Sequence, residues 1–158
     1  MTLGPERAAD VEACRAAAVT LLARRDFAGG ELRRRLEGRG FEAETAAQAV
    51  AALIEERALD DARYAQNYVA YHAGRGQGSV RIAADLSALG LAAALVEAAL
   101  ASGPDWRALA RDVRARKFGV DPPDSWPEKA RQARFLQYRG FSSDHIRFAL
   151  GSDPGLDT

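Results

Sequence analysis

A six-residue phrase recurs three times in this 158-residue chain at a fixed spacing of 50 residues. Each copy begins with leucine, has glycine in its fifth position and ends with a large apolar residue; the copies span 36–41, 86–91 and 136–141. A glycine just past a helix end takes a left-handed conformation, and the residue after it packs back onto the helix. The phrase therefore predicts the same helix stop and tight turn at three places, and valine at Gly40, Gly90 or Gly140 should destabilise the protein alike.

The recurrence predicts three repeats of three helices each. Every phrase ends one helix, leads into another, and is preceded by a further amphipathic helix; these begin at Val11, after Asp60 and near Asp105. An aspartate before the first turn can cap a helix. We expect three-helix repeats over 11–58, 59–103 and 104–151, with flexible termini at 1–10 and 152–158. One helical bundle is the alternative, but the common period favours repeats.

Composition predicts an all-α fold. Long stretches of Ala, Leu, Arg and Glu favour helix, the chain holds 34 alanines, and β-branched residues are few. In a tandem array each repeat contacts only its neighbours, which gives an extended surface. The predicted architecture is therefore an elongated tandem array of three three-helix repeats.

Several classes of protein are disfavoured by the sequence. A single cysteine gives no internal disulfide framework, which fits a reducing compartment. No apolar run approaches the ~20 residues of a membrane span. The first residues, MTLGPERAAD, lack the apolar stretch of a secretory signal. These features predict a cytoplasmic protein.

Metal and cofactor sites are not expected. A structural zinc site usually takes four Cys or His ligands, and Cys14, His72 and His145 are the three such residues in the sequence. Cys14 lies in an Ala-rich helix, where a small buried core residue is the better interpretation than a nucleophile. The sequence therefore predicts neither a metal site nor a cofactor.

Two further patterns are weak indications of catalysis. Asp60 and Asp61 could form a carboxylate pair, but adjacent helical residues do not face each other, and helix capping accounts for at least one of them. The glycine-rich segment 74–79 lacks the GxxxxGK[ST] pattern and follows a helix rather than a strand. We therefore expect a protein that is not an enzyme.

Charge is concentrated in the third repeat. Residues 106–150 carry ten cationic and five acidic side chains, whereas residues 11–59 carry eight of each. Arg107, Arg111 and Arg114 recur on one helix face, predicted to face solvent, so that reversing the charge of Arg111 and Arg114 should change stability little. Each alone could be a solvated surface residue, but a cluster of this size favours an acidic partner or a phosphate backbone. Arg75 and Arg81 add a smaller cationic patch.

Several phrases together resemble the RecX family of bacterial regulatory proteins, which act on the RecA recombinase. The phrases are LLARR at 21–25, LDDARYA at 59–65, YV at 68–69, RGQGSVRI at 75–82, DWRALAR at 105–111, RKFG at 116–119 and RFLQYRGF at 134–141. They occur in order across roughly 11–151. Departures are arginine in place of lysine at cationic positions, and the prolines Pro122, Pro123 and Pro127 in the third repeat.

The resemblance implies a negative modulator of RecA. Family members bind in the groove of the RecA–single-stranded-DNA filament and lower its ATP hydrolysis, its strand exchange and its co-protease role in the SOS response. The expected partner is the RecA filament, with DNA as a further contact, and the protein is expected to be a monomer. The alternatives are a DNA- or RNA-binding helical module that acts without RecA, and a passive helical adaptor.

The partner-binding surface is expected on the cationic residues of the second and third repeats. The predicted residues are Arg75, Arg81, Arg107, Arg111, Arg114, Lys117, Arg134 and Arg139. Reversing Arg111 and Arg114 should weaken binding to the filament more than reversing Arg33 and Arg34 in the electrically balanced first repeat.

Overall fold

The computed structural model of the chain describes residues 2–151, and that part is helical with no strand. The helices are α1 (Pro5–Ala8), α2 (Val11–Leu22), α3 (Gly29–Gly38), α4 (Ala43–Glu55), α5 (Asp61–Gly74), α6 (Ser79–Ala88), α7 (Ala93–Ala101), α8 (Trp106–Phe118), α9 (Trp126–Tyr138) and α10 (Ser143–Ala149). The all-α prediction is confirmed, with α2–α4, α5–α7 and α8–α10 as the three successive triplets. The C-terminal segment 152–158, predicted to be flexible, lies outside the described residues.

The three recurring glycines end their helices as predicted. Gly40, Gly90 and Gly140 have φ angles of +106°, +90° and +92°. In the first and third copies the residue after the glycine donates its N–H to the leucine that opens the phrase, at 3.3 Å for Phe41 and 3.1 Å for Phe141. This is the bond that closes a Schellman motif. The 50-residue recurrence therefore marks three left-handed helix caps.

Short polar side chains begin many of the helices. Asp10, Asp105, Ser125 and Ser142 each accept the N–H three residues on, which caps α2, α8, α9 and α10. Asp60 does the same for α5, accepting the Arg63 N–H at 3.1 Å. These bonds satisfy amide groups that have no partner inside their own helix. The predicted starts near 11, 60 and 105 are confirmed.

The described chain packs as two compact units. The first comprises residues 2–65 and 87–95. In it α2 and α3 pack against α4, around a core that includes Cys14, Leu21, Leu36 and Leu53. The predicted core position of Cys14 is confirmed, since the side chain is fully buried.

The N-terminal segment contributes to the first unit. Ala8, in the short helix α1, is buried, and its carbonyl accepts the N–H of Glu42 at 2.9 Å. Leu3 packs against the core of this unit. The segment before Val11 therefore carries helical structure that the sequence did not predict.

Within the described residues, the second unit comprises 66–86 and 96–151. Helices α8, α9 and α10 pack on one another in it, around a core that includes Val113, Leu136, Phe141 and Ile146. The core leucine of the third phrase, Leu136, is fully buried. The last triplet therefore has its own apolar core.

Within the second unit, the glycine-rich loop after α5 docks on the C-terminal cap of α9. Gly78 donates its N–H to the Arg139 carbonyl at 2.9 Å. The Gly140 carbonyl then accepts the N–H groups of Val80 and Arg81, at 2.9 and 3.3 Å. These amides lie in the first turn of α6, where intrahelical acceptors are lacking. The C-terminal cap of α9 thus serves as the N-terminal cap of α6.

In the part of the chain that the structure describes, none of the helices is both long enough and apolar enough to cross a membrane. The boundaries of the three repeats and the elongated outline of the array stay predictions.

Candidate functional site

Four cations surround one cavity in the second unit. The cavity has a volume of about 240 Å³, and we call it the cationic pocket; it is lined by Arg75, Gly76, Val113, Arg116, Lys117, Phe135 and Arg139. Three of the predicted partner-binding residues, Arg75, Lys117 and Arg139, therefore lie together. Lining of this kind favours an anionic ligand.

The loop docking described above brings these cations together. Arg75 and Gly76 follow α5, Lys117 lies in the last turn of α8, and Arg139 caps α9. Gly76 has a φ angle of +83°, which other residues rarely adopt. Because Gly78 is bonded to the carbonyl of Arg139, Arg75 and Arg139 are held at the same cavity.

An aromatic ring lies beneath two of the pocket cations. The Lys117 Nζ lies 5.7 Å from the centroid of the Phe135 ring, and the Arg139 guanidinium carbon lies 5.5 Å from it. Phe118 meets Phe135 edge-on at 5.3 Å between centroids. A cation over an aromatic face is attracted by the ring quadrupole without losing its charge. Phe135 therefore orients both cations and leaves them free to bind an anion.

Within residues 2–151, no carboxylate pairs with the cations of the pocket. Ion pairs within residues 2–151 involve other cations, namely Arg15, Arg25, Arg107 and Arg131. Arg75 instead donates Nη1 to the hydroxyl of Tyr71 at 3.1 Å, one helical turn earlier, and the Tyr71 side chain is itself exposed. The four pocket charges are therefore directed to solvent or to a ligand.

Two other predicted residues lie together at a second place, the Phe148 cluster, which comprises Arg107, Arg111, Asp144 and Phe148. The Arg111 guanidinium lies 4.5 Å from the Phe148 ring centroid, and that of Arg107 lies 5.7 Å from it. Arg107 also pairs with Asp144 at 2.8 Å. The hydrogen bond from Arg107 lowers the pKa of the Asp144 carboxyl, so this pair stays ionised at neutral pH. Arg111 is thus the less neutralised cation of the two.

The predicted solvent exposure of Arg114 is wrong. Arg114 is buried, with only 3% of its surface accessible to solvent. Its guanidinium donates hydrogen bonds of 3.1–3.2 Å to the carbonyls of residues 119, 120 and 121 and to Oε1 of Gln132. These charge-assisted hydrogen bonds to loop carbonyls and to the Gln132 amide oxygen compensate for the burial of the cation. Arg114 follows buried Ala110 by four residues, so it lies on the core face of α8.

The remaining predicted residues, Arg81 and Arg134, are exposed and line neither place. The backbone N–H of Arg81 takes part in the loop docking. Sequence reasoning did not single out Arg116, Phe135 or Tyr71 as site residues. The Tyr71–Arg75 spacing of four is a signal that could have found Tyr71, since such pairs lie on one helix face.

The other chemical candidates serve the fold. Burial raises the pKa of the Cys14 thiol, so it is a poor nucleophile at neutral pH. The Asp61 carboxylate accepts the Gly29 N–H at 2.8 Å, at the start of α3, and Asp60 caps α5. Capping thus accounts for both aspartates. Among residues 2–151 no cluster of three or more His, Cys, Asp or Glu side chains is placed to hold a metal ion.

Comparison with protein families identifies all three helix triplets. The first, second and third three-helix domains of RecX match residues 14–53, 60–100 and 105–150, respectively. Each match contains one copy of the recurring glycine phrase. The three matches follow the order of the helix triplets along the chain.

Several proteins are similar to this chain over nearly its whole length. Regulatory protein RecX of Vibrio vulnificus strain CMCP6 is 40% identical over 141 residues, which are 89% of this chain and 92% of that protein. Regulatory protein RecX of Halorhodospira halophila is 43% identical over 148 residues, covering 93% and 92%. A crystal structure of RecX from Lactobacillus salivarius has the same fold, with a TM-score of 0.77, 20% identity and coverage of 89% and 94%. The chain belongs to the RecX family.

Proposed function

We propose that this protein is a negative modulator of the RecA recombinase. It binds in the groove of the RecA–single-stranded-DNA filament, in the cytoplasm, and lowers ATP hydrolysis, strand exchange and the co-protease activity of the filament. The single observation that carries the proposal is the match of three RecX domains, in order, across residues 14–150.

The proposed mode of action is binding without chemistry. The carboxylates Asp60 and Asp61 are engaged as helix caps, and the thiol of Cys14 is buried with a raised pKa. A regulator that acts through occupancy needs a surface rather than a nucleophile or an acid–base pair. The effect should therefore depend on stoichiometric binding of a monomer to the filament.

The proposed contact surface is the cationic part of the second unit. The cationic pocket supports this assignment, because its four charges have no carboxylate partner within residues 2–151. Arg111 of the Phe148 cluster is a further exposed cation of this unit. Arg114 is not part of the proposed surface, since its side chain is buried.

Sedimentation of the protein with RecA filaments tests the proposal. Filaments assembled on single-stranded DNA should carry the protein into the pellet, and strand exchange should fall as bound protein increases. RecA without DNA and DNA without RecA are the two controls. Strand exchange that proceeds at its full rate on filaments saturated with the protein would contradict the proposal.

A second candidate function is a nucleic-acid-binding module that acts without RecA. The observation in its favour is the same unneutralised pocket, since clustered cations also bind phosphate backbones. Under this alternative, naked single-stranded DNA should carry as much protein into the pellet as the filament does. Preferential sedimentation with the filament would favour the RecA modulator.

A further inference from the structure

The geometry points to the cationic pocket as a phosphate-binding site. Its proposed ligand is a phosphate group, with the guanidinium groups of Arg75, Arg116 and Arg139 and the ammonium of Lys117 around it. The inference rests on the proposed function, because it names the chemical group that the same surface recognises. The proposed ligand is thus a phosphate group and not the carboxylate side chains of a protein partner.

The charge of the pocket favours phosphate over a carboxylate ligand. Three of its four cations are arginines, whose planar guanidinium pairs bidentately with phosphate and carboxylate alike. Four cations around one cavity exceed what the two oxygens of a single carboxylate can pair with, whereas a phosphate group offers more acceptor oxygens. Carboxylates of the chain pair elsewhere, such as Asp144 with Arg107 and Glu128 with Arg131, both at 2.8 Å. The pocket is thus a concentration of positive charge that the carboxylates of residues 2–151 do not neutralise.

The size of the pocket suits a phosphate group with part of its hydration. The cavity holds about 240 Å³, and a water molecule takes about 30 Å³ of liquid volume. Its walls are Val113, Phe135 and the backbone of Gly76, which bring no acidic group. A methyl group on Gly76 would stand 3.3 Å from the Val113 side chain, so the glycine keeps this wall open.

The pocket cations are positioned before any ligand arrives. Arg75 is bonded to the Tyr71 hydroxyl at 3.1 Å, and its guanidinium carbon lies 5.5 Å from the Tyr71 ring centroid. Phe135 orients Lys117 and Arg139 from below. The bond between Gly78 and the Arg139 carbonyl holds two of the pocket walls together. Less side-chain freedom remains to be lost on binding, which strengthens association.

The test is binding of a fluorescent oligothymidylate to the full-length protein without RecA, over a series of salt concentrations. Each phosphate contact on a single strand contributes about 0.7 to the slope of log K against log salt. The variant Arg116→Glu/Lys117→Glu should therefore lose about 1.4 of that slope and bind about tenfold or more weakly at low salt. Both side chains are exposed, so the variant should fold. Its melting temperature should be lower by a few degrees at most, because two acidic side chains then stand in the last turn of α8.

The matched control is Arg24→Glu/Arg35→Glu in the first unit. Both arginines are exposed, and their side chains have no partner within residues 2–151. The control changes the net charge by the same amount as the pocket variant. It should keep the slope and the affinity of the natural protein.

Two competitors identify the chemistry of the site. Displacement of the oligonucleotide by ATP would assign the phosphate to free nucleotides as well, whereas resistance to ATP would assign it to a nucleic-acid backbone; both outcomes support the site. If polyglutamate displaces the labelled oligonucleotide as effectively as unlabelled oligonucleotide does, the inference is overturned. An unchanged slope in the pocket variant, or an equal loss in the control, would do the same. Since RecA is absent from the assay, such a result leaves the filament-binding proposal untouched.

Discussion

Gly78 lies against Gly140 so closely that a methyl group on Gly78 would stand 2.5 Å from the carbonyl carbon and oxygen of Gly140. The contact is between two backbones, and the Gly78 N–H donates to the neighbouring carbonyl of Arg139 at 2.9 Å. A side chain at this position cannot be accommodated by rotating a neighbour. The second unit therefore depends on a glycine in the loop between α5 and α6.

Gly78→Ala should destabilise the second unit by about 1–3 kcal/mol, the usual cost of forcing extra atoms into a packed site. Gly74→Ala is the matched control in the same loop region, because no atom lies within 4 Å of a methyl group there. Gly74 ends α5, so alanine should be neutral or stabilising by up to about 1 kcal/mol. Urea unfolding of both variants measures the difference, and equal midpoints would contradict a backbone contact at Gly78.

Two of the recurring glycines, Gly90 and Gly140, should differ in their tolerance of alanine, although the sequence predicts that valine acts alike at all three positions. At Gly90 a methyl group would meet its nearest neighbour at 3.8 Å, so the cost is that of the left-handed backbone, about 1–2 kcal/mol. At Gly140 the methyl group would collide with the Cβ atom of Arg81 and would also lie only 3.0 Å from the backbone nitrogen of Arg81. Gly140→Ala should therefore lower the free energy of unfolding by about 1–3 kcal/mol more than Gly90→Ala does. Equal melting midpoints of the two variants would refute this order.

Arg114→Met should lower stability by about 2–4 kcal/mol. Methionine fills similar space but leaves the Gly119, Val120 and Asp121 carbonyls without their donor. Arg111→Met is the control on the exposed side of α8, where the loss of the contact to Phe148 should cost less than about 1 kcal/mol. Denaturant unfolding of both variants checks this. If Arg111→Met lowers the free energy of unfolding as much as Arg114→Met does, the buried hydrogen bonds of Arg114 are not the cause of its effect on stability.

Acidification should destabilise the second unit through His145. Burial lowers the pKa of this imidazole below its ordinary value of 6.5, and its Nδ1 is buried without a hydrogen-bond partner in the described structure. The unfolded chain therefore takes up the proton more readily, so the stabilisation is complete above pH 6.5 and is lost as pH falls through the folded-state pKa. His145→Gln has no proton to bind, and its melting temperature should fall less between pH 7.5 and pH 5 than that of the natural protein. Parallel pH curves for the two proteins would rule out this role of His145.

The recurring phrase was enough to predict the helix caps, because a left-handed glycine is a local requirement that the sequence records directly. The burial of Arg114 was not predictable in this way. Its neighbours Ala110 and Val113 are buried and indicate the core face, but a cation on that face needs acceptors, and these come from the loop at 119–121, which has no sequence signature. The cationic pocket was predicted in part, since the charge excess of the third repeat indicated Lys117 and Arg139, and the smaller cationic patch of the second repeat indicated Arg75. Their convergence depends on the contact between Gly78 and Gly140, which joins positions about 60 residues apart.

Whether the protein is a negative modulator is decided by the rate of ATP hydrolysis of RecA filaments on single-stranded DNA, measured as the protein is added. We expect the rate to fall with increasing protein and to approach a low plateau when the filaments are saturated. The pocket variant Arg116→Glu/Lys117→Glu should need more protein for the same effect, whereas Arg24→Glu/Arg35→Glu should match the natural protein. If the rate of hydrolysis stays unchanged while the natural protein sediments with the filaments at saturation, the protein is not a negative modulator of RecA.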